Sequence, residues 1–219
     1  MIEAIVASSR AIACDAKLLI FYHLSKQPEL PSSQIARRAR LTQDDASHHL
    51  AELAKLGLVR RRRAGTWVHY SLGLDAPPST LAGAAGLVRR ACLEPSWATA
   101  GWKERRTLHL APTTIAKLPS AQARALDVVF DAATAFTHGR RVMIVRWLRA
   151  NGPTDAAAIV SSLRMSLQAR QRHLEKLERR GYVVEVAPAR WALAPHTKSR
   201  FHGEFLDALL TWAGPPTMI

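Results

Sequence analysis

Shifted by 124 residues against itself, with no gap, this sequence lays residues 15–72 over 139–196 with ten identical pairs. LLIFYHL (18–24) meets VMIVRWL (142–148), and HHLAELAKLGLV (48–59) meets RHLEKLERRGYV (172–183). The identities fall on apolar positions such as Ile35 over Ile159, on Gly57 over Gly181, on His49-Leu50 over His173-Leu174, and on Trp67 over Trp191. The flanks correspond too: residues 2–13 sit over 126–137, and the segment from Leu81 sits over that from Phe205. A chain of 219 residues patterned this way is expected to fold as two copies of one small unit. Residues 1–97 form the first copy, 98–124 a connector and 125–219 the second.

Each copy carries the same local grammar. Residues 2–13 read as a mostly apolar helix and 15–27 as another, with Leu18, Leu19, Phe21, Tyr22 and Leu24 on its apolar side. The Glu-Leu-Pro that follows breaks it. Ser32 is placed to cap a short helix whose inner face holds Ile35 and Ala39. Thr42 is placed to cap the next, with Asp44 and Asp45 in the first turn, where the helix dipole favours acids. That helix buries Ala46, Leu50, Leu53 and Leu56, and Gly57 is its left-handed stop. LVRRRR, a tight turn and TWVHYSL then predict a hairpin, with Trp67 and Trp191 packed in the core of their respective wings, and a last helix covers roughly 79–93. In the second copy Thr154 or Asp155 caps the short helix, Ser166 caps the long one and Gly181 ends it. The fold class is therefore mainly α with small β-hairpins (α+β). Two helices joined by a brief turn and followed by a hairpin make a winged helix-turn-helix, here twice in tandem.

The residues of the first copy carry a more specific likeness. Leu41-Thr42-Gln43, Ser47-His48-His49-Leu50, and Leu53 through Gly57-Leu58-Val59 follow a pattern of Leu-Ser/Thr-Gln, Ser-x-His-Leu and Leu-x-x-x-Gly-Leu-Val. GTWVHYSL matches Gly-x-x-x-x-Tyr-x-Leu. Residues 15–72 thereby resemble the ArsR-type winged-helix regulators. The second copy keeps His173-Leu174 and Gly181-Tyr182-Val183 but departs elsewhere. The resemblance implies a dimer on operator DNA, and duplication would supply both halves of that dimer in one polypeptide as a pseudo-dimer.

Charge agrees with an acidic partner. The formal net charge is +14, and 13 basic against 8 acidic groups recur in residues 1–98 and again in residues 125–219. An excess shared this evenly points to double-stranded DNA rather than to one basic tail. No apolar run is long enough to cross a bilayer and no leader pattern opens the chain, so a cytoplasmic protein without a membrane partner is expected. The candidate DNA contacts of the first copy are Thr42, Gln43, Ser47 and His48 on the long helix, with Arg60, Arg61, Arg62, Arg63, Thr66 and His69 on the wing. Those of the second copy are Ser166, Gln168, Arg170, Gln171 and Arg172, with Arg190 on the wing. Gln and Ser read base edges and phosphates, and the N-terminal end of such a helix enters the major groove. The second helix has no acid in its first turns, whereas the second wing has one arginine and a Glu185 where the first has Arg61. Two unequal half-sites follow, their helices meeting successive major grooves about 34 Å apart.

Other chemistries fit the residues less well. His48 and His49 project about 100° apart on a helix and do not chelate one ion; His49 reads as a packed residue. The cysteine pair by which ArsR-type regulators hold metal on the short helix is absent from SSQIARRAR, so no metal and no cofactor is expected. Cys14 and Cys92 fall on elements that neighbour each other in this fold, and a redox switch there stands beside the plainer reading of two buried thiols. No phosphate-binding glycine loop or nucleophile elbow points to an enzyme. Trp97, just before the connector, and Trp102 and His109 within it are expected to pack on the dimer-like helices, with Lys103, Arg105 and Arg106 exposed. The leading function is a sequence-specific transcriptional regulator, a repressor by resemblance, with effector and any further homodimer unspecified. The alternatives are a winged-helix adaptor for a protein partner and a thiol- or small-molecule-responsive regulator.

Overall fold

Helix-period apolar residues carry most of the chain into helix, and glycine, proline and capping residues set where each helix ends. The computed structural model describes residues 1–74, 83–103 and 118–213. Its first half runs α1 (Ile2–Ile12), α2 (Asp15–Lys26), β1 (Leu30–Pro31), α3 (Ser32–Ala39), α4 (Gln43–Lys55), β2 (Val59–Ala64), β3 (Trp67–Leu72), α5 (Gly83–Leu93) and the short α6 (Pro95–Thr99). After it come α7 (Ser120–Thr134), α8 (Gly139–Asn151), β4 (Thr154–Asp155), α9 (Ala156–Leu163), α10 (Leu167–Arg179), β5 (Val183–Ala187), β6 (Arg190–Leu193) and α11 (Arg200–Ala213). The molecule is mainly helical with two small antiparallel sheets, ordered β1-β3-β2 and β4-β6-β5.

Local chemistry accounts for the helix-turn-helix. Thr42 Oγ1 accepts from the Asp45 N–H at 3.0 Å and donates to the Asp45 carboxylate at 2.8 Å, which closes the start of α4. The end of α4 is a left-handed stop: Gly57 has φ +70°, and the Leu58 N–H donates to the Leu53 carbonyl at 3.0 Å. Ser166 caps α10 through the Ala169 N–H, and Gly181 ends it with φ +72°. Ser32 differs from its expected role. It lies inside the first turn of α3 and Pro31 occupies the cap, because Leu30 and Pro31 are drawn into the sheet opposite Tyr70 and His69. Asp155 stands at the cap of α9 without a side-chain cap bond, and the Thr154 hydroxyl donates to the Gly152 carbonyl instead.

The two hairpins correct the gapless alignment. Val59 pairs with Leu72 and Val183 with Leu193, so the second hairpin is three residues shorter than the first. Leu30 pairs with Tyr70, whereas Thr154 pairs with Trp191. The counterpart of Trp191 is therefore Tyr70, and both are buried. Trp67 was expected in the core but is 61% exposed, because the extra length of the first wing carries it to the tip, opposite Ala64.

The halves meet through helices. α1 packs on α7, α5 on α7 and α11, and α6 lies between α5, α7 and α11. The apolar core is continuous from Ile5 and Phe21 through Val88 and Leu126 to Phe205 and Trp212. Trp97 is buried, with its indole N–H donating to Glu204 at 3.2 Å and Arg90 lying 4.2 Å from its ring centre. Trp102 stacks on His202 at 5.4 Å, and Lys103 is exposed; Arg105, Arg106 and His109 lie outside the described residues. Beneath Trp102 is a buried polar knot. The Asp131 carboxylate of α7 pairs with Arg180 at the end of α10, and Asp131 Oδ2 lies 3.1 Å from His202 Nε2 on α11. The other ring nitrogen of His202 meets the Ser199 hydroxyl at 2.8 Å.

Candidate nucleic-acid interface

The first helix-turn-helix leaves one long polar face uncovered. Thr42, Gln43, Asp44, Asp45, Ser47 and His48 are all exposed along α4, while Ala46, Leu50 and Leu53 anchor the other side at no more than 0% exposure each. Not all of these side chains are equally available. The Thr42 hydroxyl is committed to the cap, and the Gln43 amide donates to Ser32 Oγ at 3.3 Å, tying α4 to the start of α3. His48 is 3.7 Å from Glu52, one turn along. His49 is half-buried and its imidazole is held below the ordinary range by burial and then by the nearby Lys17 ammonium. Glu52 in turn is held below its ordinary range by the hydrogen bond from Lys17, at 2.6 Å.

On the first wing, strand alternation sorts the four arginines. Arg61 and Arg63 share a face with Val59, Val68, Tyr70 and Leu72; Arg60 and Arg62 share the other with His69 and Ser71. All four are exposed. Arg62 is clamped by Glu29 through two bonds of 2.8 and 2.6 Å, which hold the carboxylate below and the guanidinium above their ordinary ranges. Arg63 donates to the Gly65 carbonyl across the turn at 3.3 Å. Thr66 is exposed at the tip, and His69 is half-buried at the sheet centre.

The second half offers a different face. Gln168 and Arg172 are exposed on α10; Gln171 is exposed but its amide donates to Glu175 at 2.8 Å. Arg170 is half-buried, and Ser166 is occupied as the cap. On the wing, Arg190 donates to the Pro153 carbonyl at 3.4 Å, and Glu185 accepts from the Ala189 N–H at 2.7 Å, bracing a turn in which Ala189 takes φ +59°. The first turn of α4 carries Asp44 and Asp45, the first turn of α10 carries no acid, and the second wing carries Glu185.

The cysteines are both free. Cys92 is fully buried, and burial pushes its thiol up to about 12, so at neutral pH it is a packed thiol with almost no thiolate to oxidise. Basic residues outside the expected set also flank the interface. Arg37 and Arg40 are exposed on and just after α3, and Arg164 is exposed at the matching turn after α9. Arg40 and Arg164 both adopt left-handed backbone, φ +55° and +45°, where glycine is the cheaper residue. The run ARRAR (36–40) marks Arg37 and Arg40 in the sequence.

The MarR family model matches residues 15–66, the stretch from α2 to the wing turn. That stretch is similar to the MarR family. Among curated proteins, the arsenic resistance transcriptional regulator ArsR1 of Pseudomonas putida is 29% identical over 68 residues, covering 31% of this chain and 53% of its own length. A cadmium resistance transcriptional regulatory protein, the CadC homolog of Staphylococcus aureus, is 36% identical over 63 residues, covering 29% of this chain and 52% of its own. The chain thus spans about half the length of the curated relatives it matches. These likenesses support the winged-helix reading of the first half. Among the described residues no helix is long and apolar enough to cross a membrane.

Proposed function

We propose that this chain is a non-enzymatic, DNA-binding transcriptional regulator, a repressor, in which a tandem duplication places two unlike winged-helix readers in one polypeptide. The observation that carries the reading is the repeated helix-turn-helix. In each half an eight-residue helix turns through a left-handed arginine into a thirteen-residue helix whose outer side is polar and uncovered. The packing of α1 and α5 against α7 and α11 supports a pseudo-dimer, in which the halves face one duplex as two subunits would. Both curated relatives are transcriptional regulators by name, and the net charge of +14 suits a polyanion.

The two halves are proposed to divide the work. The first grips chiefly through the wing, where Arg61 and Arg63 share a face and Thr66 sits at the tip. The second reads chiefly through α10, with Gln168 and Arg172 outermost. Fluorescence anisotropy on duplex DNA at stated salt tests this division. Arg61→Ala with Arg63→Ala is expected to weaken binding to all sequences alike and to flatten the salt dependence by about one to two units of log-log slope. Gln168→Ala with Arg172→Ala is expected to narrow the gap between preferred and random duplex. Unchanged affinity in both double variants would contradict the proposal and favour a protein-binding adaptor.

A further inference from the structure

The start of α8 and the middle of α10 form a cationic cluster with no matching acid among the described residues. Its first-half counterpart, 124 residues earlier, is a closed ion pair: Lys17 on α2 donates to Glu52 on α4 at 2.6 Å, with His49 beside them. In the second half Lys17 becomes Arg141, Glu52 becomes Lys176, His49 remains as His173, and Cys14 becomes His138. The carboxylate has been exchanged for an ammonium between the corresponding pair of packed helices. The first turn also gains positive charge, from Asp15 and Lys17 at the start of α2 to Arg140 and Arg141 at the start of α8.

Among the described residues no acid compensates the charges left behind. Arg141 is 8% exposed; one terminal nitrogen donates to Thr137 Oγ1 at 2.8 Å, while its buried Nε has no hydrogen-bond partner. His138 caps α8 by accepting the Arg140 N–H on Nδ1 at 3.2 Å, which leaves Nε2 as the donor of the neutral ring. Its ring lies 4.5 Å from that of His173. Burial, then His138, Arg141, Arg172 and Arg140, push the His173 imidazole down to about 4. Lys176 is lowered by burial, Arg179 and Arg141, and His138 by burial, Arg141, Arg10 and Arg140. The groups acting from α1, α8 and α10 are thus all cationic or imidazole. A buried guanidinium with an unsatisfied Nε at the positive end of a thirteen-residue helix, among further donors, has the chemistry that an anion would complete.

We propose that this niche binds a phosphate-type oxyanion, held by Arg141, His138, His173 and Lys176 with Arg172 at its rim, which supplies in trans the negative charge that Glu52 supplies in the first half. The phosphate comes either from solution, as an inorganic or small-molecule phosphate, or from a duplex backbone lying along α10. The duplex arm rests on the DNA-binding reading; the free-phosphate arm stands without it.

Imidazole resonances of the full chain, titrated with pH at fixed ionic strength in chloride, in inorganic phosphate and with a 20-base-pair random duplex, test the site. Bound phosphate is expected to raise the His173 pKa from about 4 by about one unit or more, because an anion beside the ring favours its charged form. A response to inorganic phosphate identifies a free anion as occupant, and a response to duplex alone identifies the backbone. Lys176→Glu rebuilds the first-half ion pair internally, so its His173 should titrate higher in chloride and respond to neither probe. His138→Gln, at an exposed position, keeps the fold and should weaken the response severalfold. No shift with either probe, or an undiminished shift in both variants, overturns the proposal. Duplex bound by anisotropy with His173 unmoved by either probe overturns the niche while leaving the DNA-binding reading intact.

Discussion

Asp131→Ala is expected to be among the most costly single substitutions in the second half. Asp131 and His202 are each 0% exposed, and Arg180 only 8%, so the carboxylate is the countercharge of a guanidinium screened from water. It joins α7, the end of α10 and α11 at one point, and Trp102 closes the cluster from above. Removing it takes a buried carboxylate from Arg180 and a contact at 3.1 Å from His202. Breaking a buried pair from one side costs about 3–5 kcal/mol, more than the net worth of the pair itself. Replacing both ends by apolar residues removes the buried guanidinium together with its carboxylate, so Asp131→Ala combined with Arg180→Met is expected to recover a large part of the loss. Urea melts followed by tryptophan fluorescence measure both variants, with an unchanged denaturant slope showing that the unfolding transition is the same one. A single-variant loss below about 1 kcal/mol, or a double variant no more stable than the single, would refute the reasoning.

Three further substitutions probe the helix-turn-helix, the wing junction and the niche. Thr42→Ala removes the hydroxyl that closes the start of α4 and should cost about 1 kcal/mol in the same melts. Gly73→Ala places a methyl group against the Gly57 carbonyl, backbone on backbone, where β3 leaves the sheet; a loss of about 1–3 kcal/mol is expected, and none would show that the turn is slack. In phosphate-free buffer, His173 is neutral when folded down to about 4, whereas in the unfolded chain it takes its proton near 6.5. The unfolded state binds more protons across that window, so stability falls as pH drops from 6.5 towards 4. His173→Gln should flatten the fall, and an equal fall in the variant would place the titrating group elsewhere.

The α4 reading was available from sequence because its determinants are local. Thr42, Leu50, Leu53 and Gly57 fix the cap, the buried side and the stop within one short window. The α3 and β1 boundary was not, since Ser32 looks like a cap until Leu30 and Pro31 are seen to pair with β3, forty residues away. The wing tryptophans mislead for a related reason. A gapless alignment keeps register through two helices of equal length and loses it in a hairpin shortened by three residues, where strand pairing decides what is buried. Of the interface, composition revealed the polar helix faces and the arginine run. It did not reveal which donors are already occupied, because the Glu29 clamp on Arg62 and the Glu175 contact to Gln171 arise from side-chain geometry. The charge swap at Lys176 was visible in the aligned repeat, but its meaning needs the burial of Arg141 beside it.

Selection of bound duplexes from a random pool by the full chain tests the central claim most directly. Two unlike half-sites, centred about 34 Å apart along the duplex, are the predicted outcome for two unequal readers in one chain. A perfect inverted repeat would contradict the inequality of the halves, and no enrichment over the starting pool would contradict sequence-specific DNA binding itself.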